Sequence, residues 1–158
     1  MGVAGAGKTT VGRELAKTIG WEFHDADDFH SPENIAKMHR GEGLTDADRQ
    51  PWLEALGRLI ASIVREDRRA VLACSALKHA YRVTLIPRGI PAAAIRFVYL
   101  DVPPEELERR LEQRHHYAGP SLLSSQLATL EKPKDALWVD GTRPVSDEVH
   151  AIRSALGL

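Results

Sequence analysis

Gly2-Val3-Ala4-Gly5-Ala6-Gly7-Lys8-Thr9 matches the phosphate-binding pattern G-x-x-x-x-G-K-[ST] at every constrained position. A polyphosphate must be held by several backbone N–H groups aimed at one spot. The loop therefore needs glycines, which adopt unusual dihedrals and bring no side chain. Lys8 supplies a point charge for the β- and γ-phosphates, and the Thr9 hydroxyl is suited to ligate Mg²⁺. Ala4 and Ala6 are small enough to stay clear. The amphipathic stretch behind the loop (Val11, Leu15, Ala16, Ile19, closed by Gly20) predicts a helix whose N-terminal dipole adds to the phosphate site. Such a loop normally hangs between a buried strand and a helix. Only Met1 precedes it here. The strand is expected to lie upstream of this start, and the chain as it stands is expected to be poorly stable and weakly active.

The 158 residues suit one domain, read as spanning 1–158. Lys+Arg 21 against Asp+Glu 22 gives a net charge of −1, which argues against a dedicated nucleic-acid or membrane-surface binder. The single cysteine, Cys74, excludes an intrachain disulfide and a zinc cluster and fits a reducing cytosol. It reads as a packed small hydrophobe, because nothing nearby spells an activating pair.

Along the chain, Trp21-Glu22-Phe23-His24 predicts a short strand running into Asp25-Ala26-Asp27-Asp28. Three carboxylates at a strand's C-terminal edge repel one another unless a cation or donors are near. In an open α/β sheet, ligands bind at that edge. Beside the phosphate loop they read as Mg²⁺ positioning plus a base for a substrate hydroxyl. Ser31-Pro32 predicts a helix start, and His30 just before it is either ligand-facing or a packing residue. Thr45-Asp46-Ala47-Asp48-Arg49 opens a helix whose apolar stripe begins at Trp52. Arg49 is suited to fork a substrate carboxylate or, equally, to pair with Asp46 or Asp48. Ala70–Cys74 reads as a buried parallel strand. Lys78 and Arg82 follow at i, i+4, a spacing that puts both on one helical face toward an anionic ligand.

Ile95–Asp101 reads as the next strand, followed by a helix from Pro103 that carries Arg110 and Arg114 on one face. The loop His115–Pro120 comes next. Arginines flanking a loop suit a phosphoryl-transfer lid, placed at about 114–121, since charge spreads over the equatorial oxygens in the transition state. A helix over 121–131, a last strand at Leu137–Asp140 and a final helix complete the chain. The turn through Thr142 and Pro144 is a candidate for the adenine. The alternation of strands and helices predicts a three-layer α/β/α fold on a right-handed parallel sheet.

These segments together resemble the gluconate kinase family, P-loop kinases related to shikimate and nucleoside-monophosphate kinases. Besides the loop, the resemblance rests on Asp25-Ala26-Asp27 with His30, on Asp46-Ala47-Asp48-Arg49-Gln50-Pro51-Trp52-Leu53, on Cys74-Ser75-Ala76-Leu77-Lys78 with Tyr81-Arg82, and on Ser124 to Glu131. It implies ATP-dependent phosphorylation of D-gluconate at its 6-hydroxyl, in the cytoplasm, by a protein of a family that is often dimeric. By position, Gly2, Val3, Ala4, Gly5, Ala6, Gly7, Lys8, Thr9 and Thr10 would bind ATP, with Arg110, Thr142 and Pro144 completing the nucleotide site. Thr9 and Asp25 would hold Mg²⁺. Asp27 would orient or deprotonate the hydroxyl, and His30, Arg49, Lys78 and Arg82 would hold the substrate, on the side built by the helical segment 31–66. Lys8, Asp27, Arg110 and Arg114 would form the catalytic set. The alternatives are a related kinase for another small hydroxylated acid, such as shikimate, and a nucleotide-binding module with little turnover.

Overall fold

Among the described residues four short strands carry the fold, and each ends where the sequence turns polar. In this computed structural model residues 1–113 and 120–158 are described. β1 (Glu22–Asp25) pairs in parallel with β2 (Ala70–Ala73), Glu22 opposite Ala70 and Asp25 opposite Ala73. β3 (Val98–Asp101) pairs in parallel with β4 (Leu137–Asp140), Val98 opposite Leu137 and Asp101 opposite Asp140. The helices are α1 (Lys8–Ile19), α2 (Pro32–His39), α3 (Asp46–Arg65), α4 (His79–Thr84), α5 (Pro104–Gln113), α6 (Pro120–Thr129) and α7 (Val145–Leu156). Local chemistry sets several of their starts. The Ser31 hydroxyl accepts from Asn34 N–H ahead of Pro32, and Thr45 and Asp48 form a reciprocal capping box on α3.

Two apolar clusters flank the strands. One joins Val11 and Leu15 of α1 with Leu100, Leu107, Leu111 and Ile152; the other joins Trp52, Leu53 and Leu56 of α3 with Tyr81 and Leu85. Val71 packs on the first and its neighbour Leu72 on the second. Successive residues of a strand point to opposite faces, so the clusters cover the two sides of β2 and the architecture is layered, helix on strand on helix.

The parallel strands expected from the alternation are present. Among the described residues there are two two-stranded sheets, with β2 and β3 facing each other across a slot. The first two residues span it. The Met1 ammonium donates to the Val98 carbonyl, Leu100 N–H donates to the Met1 carbonyl at 3.0 Å, and Gly2 N–H donates to the Ser75 carbonyl at 3.2 Å. Behind Met1 lies a cavity of ≈ 400 Å³ lined by Leu15, Ile63, Val71, Leu72, Phe97 and Val98, among others.

Candidate active site

The phosphate loop follows directly from Gly2 and curls at the C-terminal ends of the strands. Gly5 and Gly7 take positive φ, +82° and +91°. A Cβ on Gly5 would also sit 3.3 Å from the Leu107 carbonyl oxygen, so close packing against α5 and backbone conformation both demand glycine there. Gly7 caps α1 without a side chain, which leaves the first N–H groups of that helix facing the loop. Lys8 Nζ folds back to the Val3 carbonyl at 3.0 Å. Burial lowers the Lys8 pKa, opposed by the charges of Asp27, then Cys74 and Asp25. An ammonium held in this state gains from an added anion.

Asp25 ends β1 and sits against the loop: the Thr9 hydroxyl donates to Asp25 Oδ2 at 2.8 Å, while Oδ1 accepts from Asp27 N–H at 3.2 Å. A hydroxyl and a carboxylate side by side are hard oxygen donors of the kind Mg²⁺ takes, so Thr9 and Asp25 fit the ion. A one-turn 3₁₀ helix, Ala26–Phe29, then carries Asp27 round to the loop's open side.

A cavity of ≈ 150 Å³ brings the two halves of the site together. Gly5, Gly7, Lys8, Thr9 and Thr10 line it from one side; Asp27, His30, Arg49 and Trp52 line it from the other. Its floor includes Leu44, Ser75 and Gln126. His30 resolves the two readings of its sequence position, since it does both. Its ring stacks on Trp52 with centroids 4.4 Å apart, and it also borders the cavity. Burial, then the Arg49 charge, pushes its pKa down to about 4, so it is a neutral imidazole at neutral pH. Trp52 is held in turn by a 2.7 Å bond from its indole N–H to the Ala26 carbonyl.

Not every residue predicted for the substrate faces this cavity. Lys78 is engaged by Asp46, at 2.9 and 2.8 Å to its two oxygens, and does not line it. Arg82 is a correction. It is 4% exposed, and its Nη1 donates to the carbonyls of Ala76, Leu77 and Glu131 at 3.0, 3.3 and 3.1 Å. Through Nη1 it ties the loop after β2 to the chain after α6, and it does not line the cavity. Arg110 bridges the phosphate loop to the turn after β4. It donates to Glu106 at 2.6 Å and to the Gly141 carbonyl at 2.8 Å, with a longer contact of 3.5 Å to the Gly5 carbonyl. Thr142, whose N–H and hydroxyl both donate to Asp140, and Pro144, which precedes α7, stand in that same turn, outside the cavity. Arg114 and residues 114–119 of the predicted lid lie outside the described residues.

Gln126 carried no functional assignment from sequence. Its Oε1 accepts from the Ala4 N–H of the phosphate loop at 2.7 Å, and it lines the cavity. The available signal was a single amide among the leucines of α6.

The comparisons with known proteins agree with this geometry. The family model described as shikimate kinase matches residues 4–146. The gluconokinase of Gluconobacter oxydans is 48% identical over 136 residues, covering 85% of this chain and 75% of its own. The unliganded crystal structure of a sugar kinase from Janibacter superposes with a TM-score of 0.90 at 41% identity, covering 99% of this chain and 91% of that one. A gluconokinase from Sinorhizobium meliloti superposes with a TM-score of 0.87 at 40% identity, covering 99% and 89%. A glycine loop of phosphate-binding pattern, an aspartate lining the same cavity and kinship along most of the length lead to one conclusion: the chain belongs to the gluconokinase family, P-loop kinases of the shikimate-kinase type.

Proposed function

We propose that this chain transfers the γ-phosphoryl group of ATP to the 6-hydroxyl of D-gluconate. The observation that carries the reading is the shared cavity: Lys8 and the loop amides on one wall, Asp27 and Arg49 on the other. Phosphoryl transfer asks little covalent chemistry of a protein. It asks for in-line placement of the two oxygens and for positive charge around the transferring group. Lys8 and the loop N–H groups supply that charge, and Asp27 orients the attacking hydroxyl and takes its proton. Thr9 and Asp25 would hold Mg²⁺, which would neutralise charge on the β- and γ-oxygens. Arg49 forks the sugar-acid carboxylate, and neutral His30 accepts from or donates to a hydroxyl of the same substrate. Arg110 closes on the nucleotide side.

The test is ADP release with Mg-ATP against D-gluconate, shikimate, glycerate and glucose. Turnover with gluconate alone is expected, and turnover with shikimate alone would move the assignment to the neighbouring kinase class. Lys8→Ala and Asp27→Ala are each expected to lower kcat by roughly 10²-fold or more. Normal turnover in Asp27→Ala would remove the base while leaving the kinase intact.

A further inference from the structure

Arg49 reaches the cavity from the first turn of α3, and its own carboxylate neighbour is a hazard to it. Asp46 lies one turn earlier on the same helix, its Oδ1 3.7 Å from Arg49 Nη1. A direct, close ion pair between the two would spend the guanidinium on the protein and draw it off the cavity wall. The Tyr81 hydroxyl stands between them. It accepts from Arg49 Nη1 at 3.2 Å and donates to Asp46 Oδ1. Tyr81 is 6% exposed, packed in the second apolar cluster, so the hydroxyl is delivered by a rigid ring from α4. Asp46 is anchored from its far side by Lys78, which donates to both carboxylate oxygens. The Thr45–Asp48 capping box fixes the helical turn on which Asp46 and Arg49 both stand.

We propose that the Tyr81 hydroxyl is a positioning group: a spacer that holds Arg49 off Asp46 and so keeps its guanidinium presented to the carboxylate of a sugar acid. The inference rests on the reading of Arg49 as the carboxylate ligand. It also gives Lys78 a different duty from the one its sequence position suggested, since Lys78 takes the two close contacts to Asp46 and leaves Arg49 only the longer 3.7 Å ion pair. A substrate carboxylate then meets a cation whose orientation is already fixed, which reduces the ordering cost of binding.

Tyr81→Phe keeps the ring and deletes the spacer. The expected result is a rise in the KM for gluconate of about tenfold, with the KM for ATP within about twofold and a nearly unchanged melting temperature. Adding Asp46→Asn to Tyr81→Phe removes the carboxylate that captures Arg49, so most of the lost affinity should return. A tyrosine that served packing alone would give no such rescue. A gluconate KM within about twofold of the unaltered protein in Tyr81→Phe, or no recovery in the double variant, overturns the proposal. Arg49→Ala run in parallel separates the two levels. If it raises the KM and Tyr81→Phe does not, only the spacer role fails; if Arg49→Ala changes nothing, the carboxylate reading fails and the spacer role with it.

Discussion

Stacking on Trp52 takes His30 out of water, and its buried Nδ1 has no hydrogen-bond partner among the described residues. The unfolded chain protonates this imidazole near its ordinary value of 6.5, the folded one only at about 4. Between those values the unfolded state binds the extra proton, so stability falls as pH drops through the window. His30→Gln should flatten that slope, read from urea midpoints near neutrality and at about pH 5. The difference between variant and parent is the quantity to use, because other groups titrate in the same range. The Met1 ammonium, pushed down to about 5 by burial and then by Lys8, tilts the curve the same way. Glu148, pushed up to about 7 by burial, tilts it the opposite way. Residue identity at the loop, at Asp25 and at Asp27 was legible because that chemistry is written in contiguous letters. The neutral state of His30 was not, since it is made by a tryptophan 22 positions away and an arginine of the same helix, α3.

Among elements, α4 shows how spacing misleads when a helix is short. Lys78 and Arg82 share a face only if both are helical, yet α4 runs from His79 to Thr84 and Lys78 is its N-cap, with extended φ −94° and ψ 151°. The i, i+4 argument therefore does not apply, and Arg82 turns inward to collect three carbonyls. This makes Arg82 a fastener between the loop after β2 and the end of α6, where Glu131 also accepts from His79 N–H at 2.7 Å and donates from its own N–H to Leu77. Arg82→Met should strip the guanidinium donor from the Ala76 and Glu131 carbonyls, Leu77 keeping the Glu131 N–H, and cost roughly 2–4 kcal/mol of stability, measured by denaturant unfolding. At temperatures where the variant is folded, its KM for gluconate should match that of the parent. A large KM rise in a stable Arg82→Met protein would return the residue to the substrate. The caps behaved as read, Ser31 and Thr45 both accepting the expected backbone N–H. Capping is local physics, and a sequence holds all of it.

Over the whole molecule, the strand and helix order was legible from alternating apolar runs, down to boundaries within a few residues; β3, read from Ile95, starts at Val98. Less legible was how little bridges the slot between β2 and β3, since that depends on the Met1 and Gly2 backbone groups rather than on any side-chain pattern. The apolar cavity behind Met1 offers space and backbone partners for one more strand. A segment of about five β-branched residues fused ahead of Met1 should enter it and raise stability by roughly 3–5 kcal/mol, or about 10 °C in melting temperature. A glycine-serine extension of equal length is the control, and an equal rise from both would show that the slot takes no strand. The division of the sheet also bears on timing. Thr9 clasps Asp25 at the end of β1, whereas Arg110 and Gln126 hold Gly5 and Ala4 from the α5, α6 and β4 side. The loop is thus fastened to both two-stranded sheets at once. A guest seated in it would tighten both margins together, so ligand capture and the last step of assembly become one event.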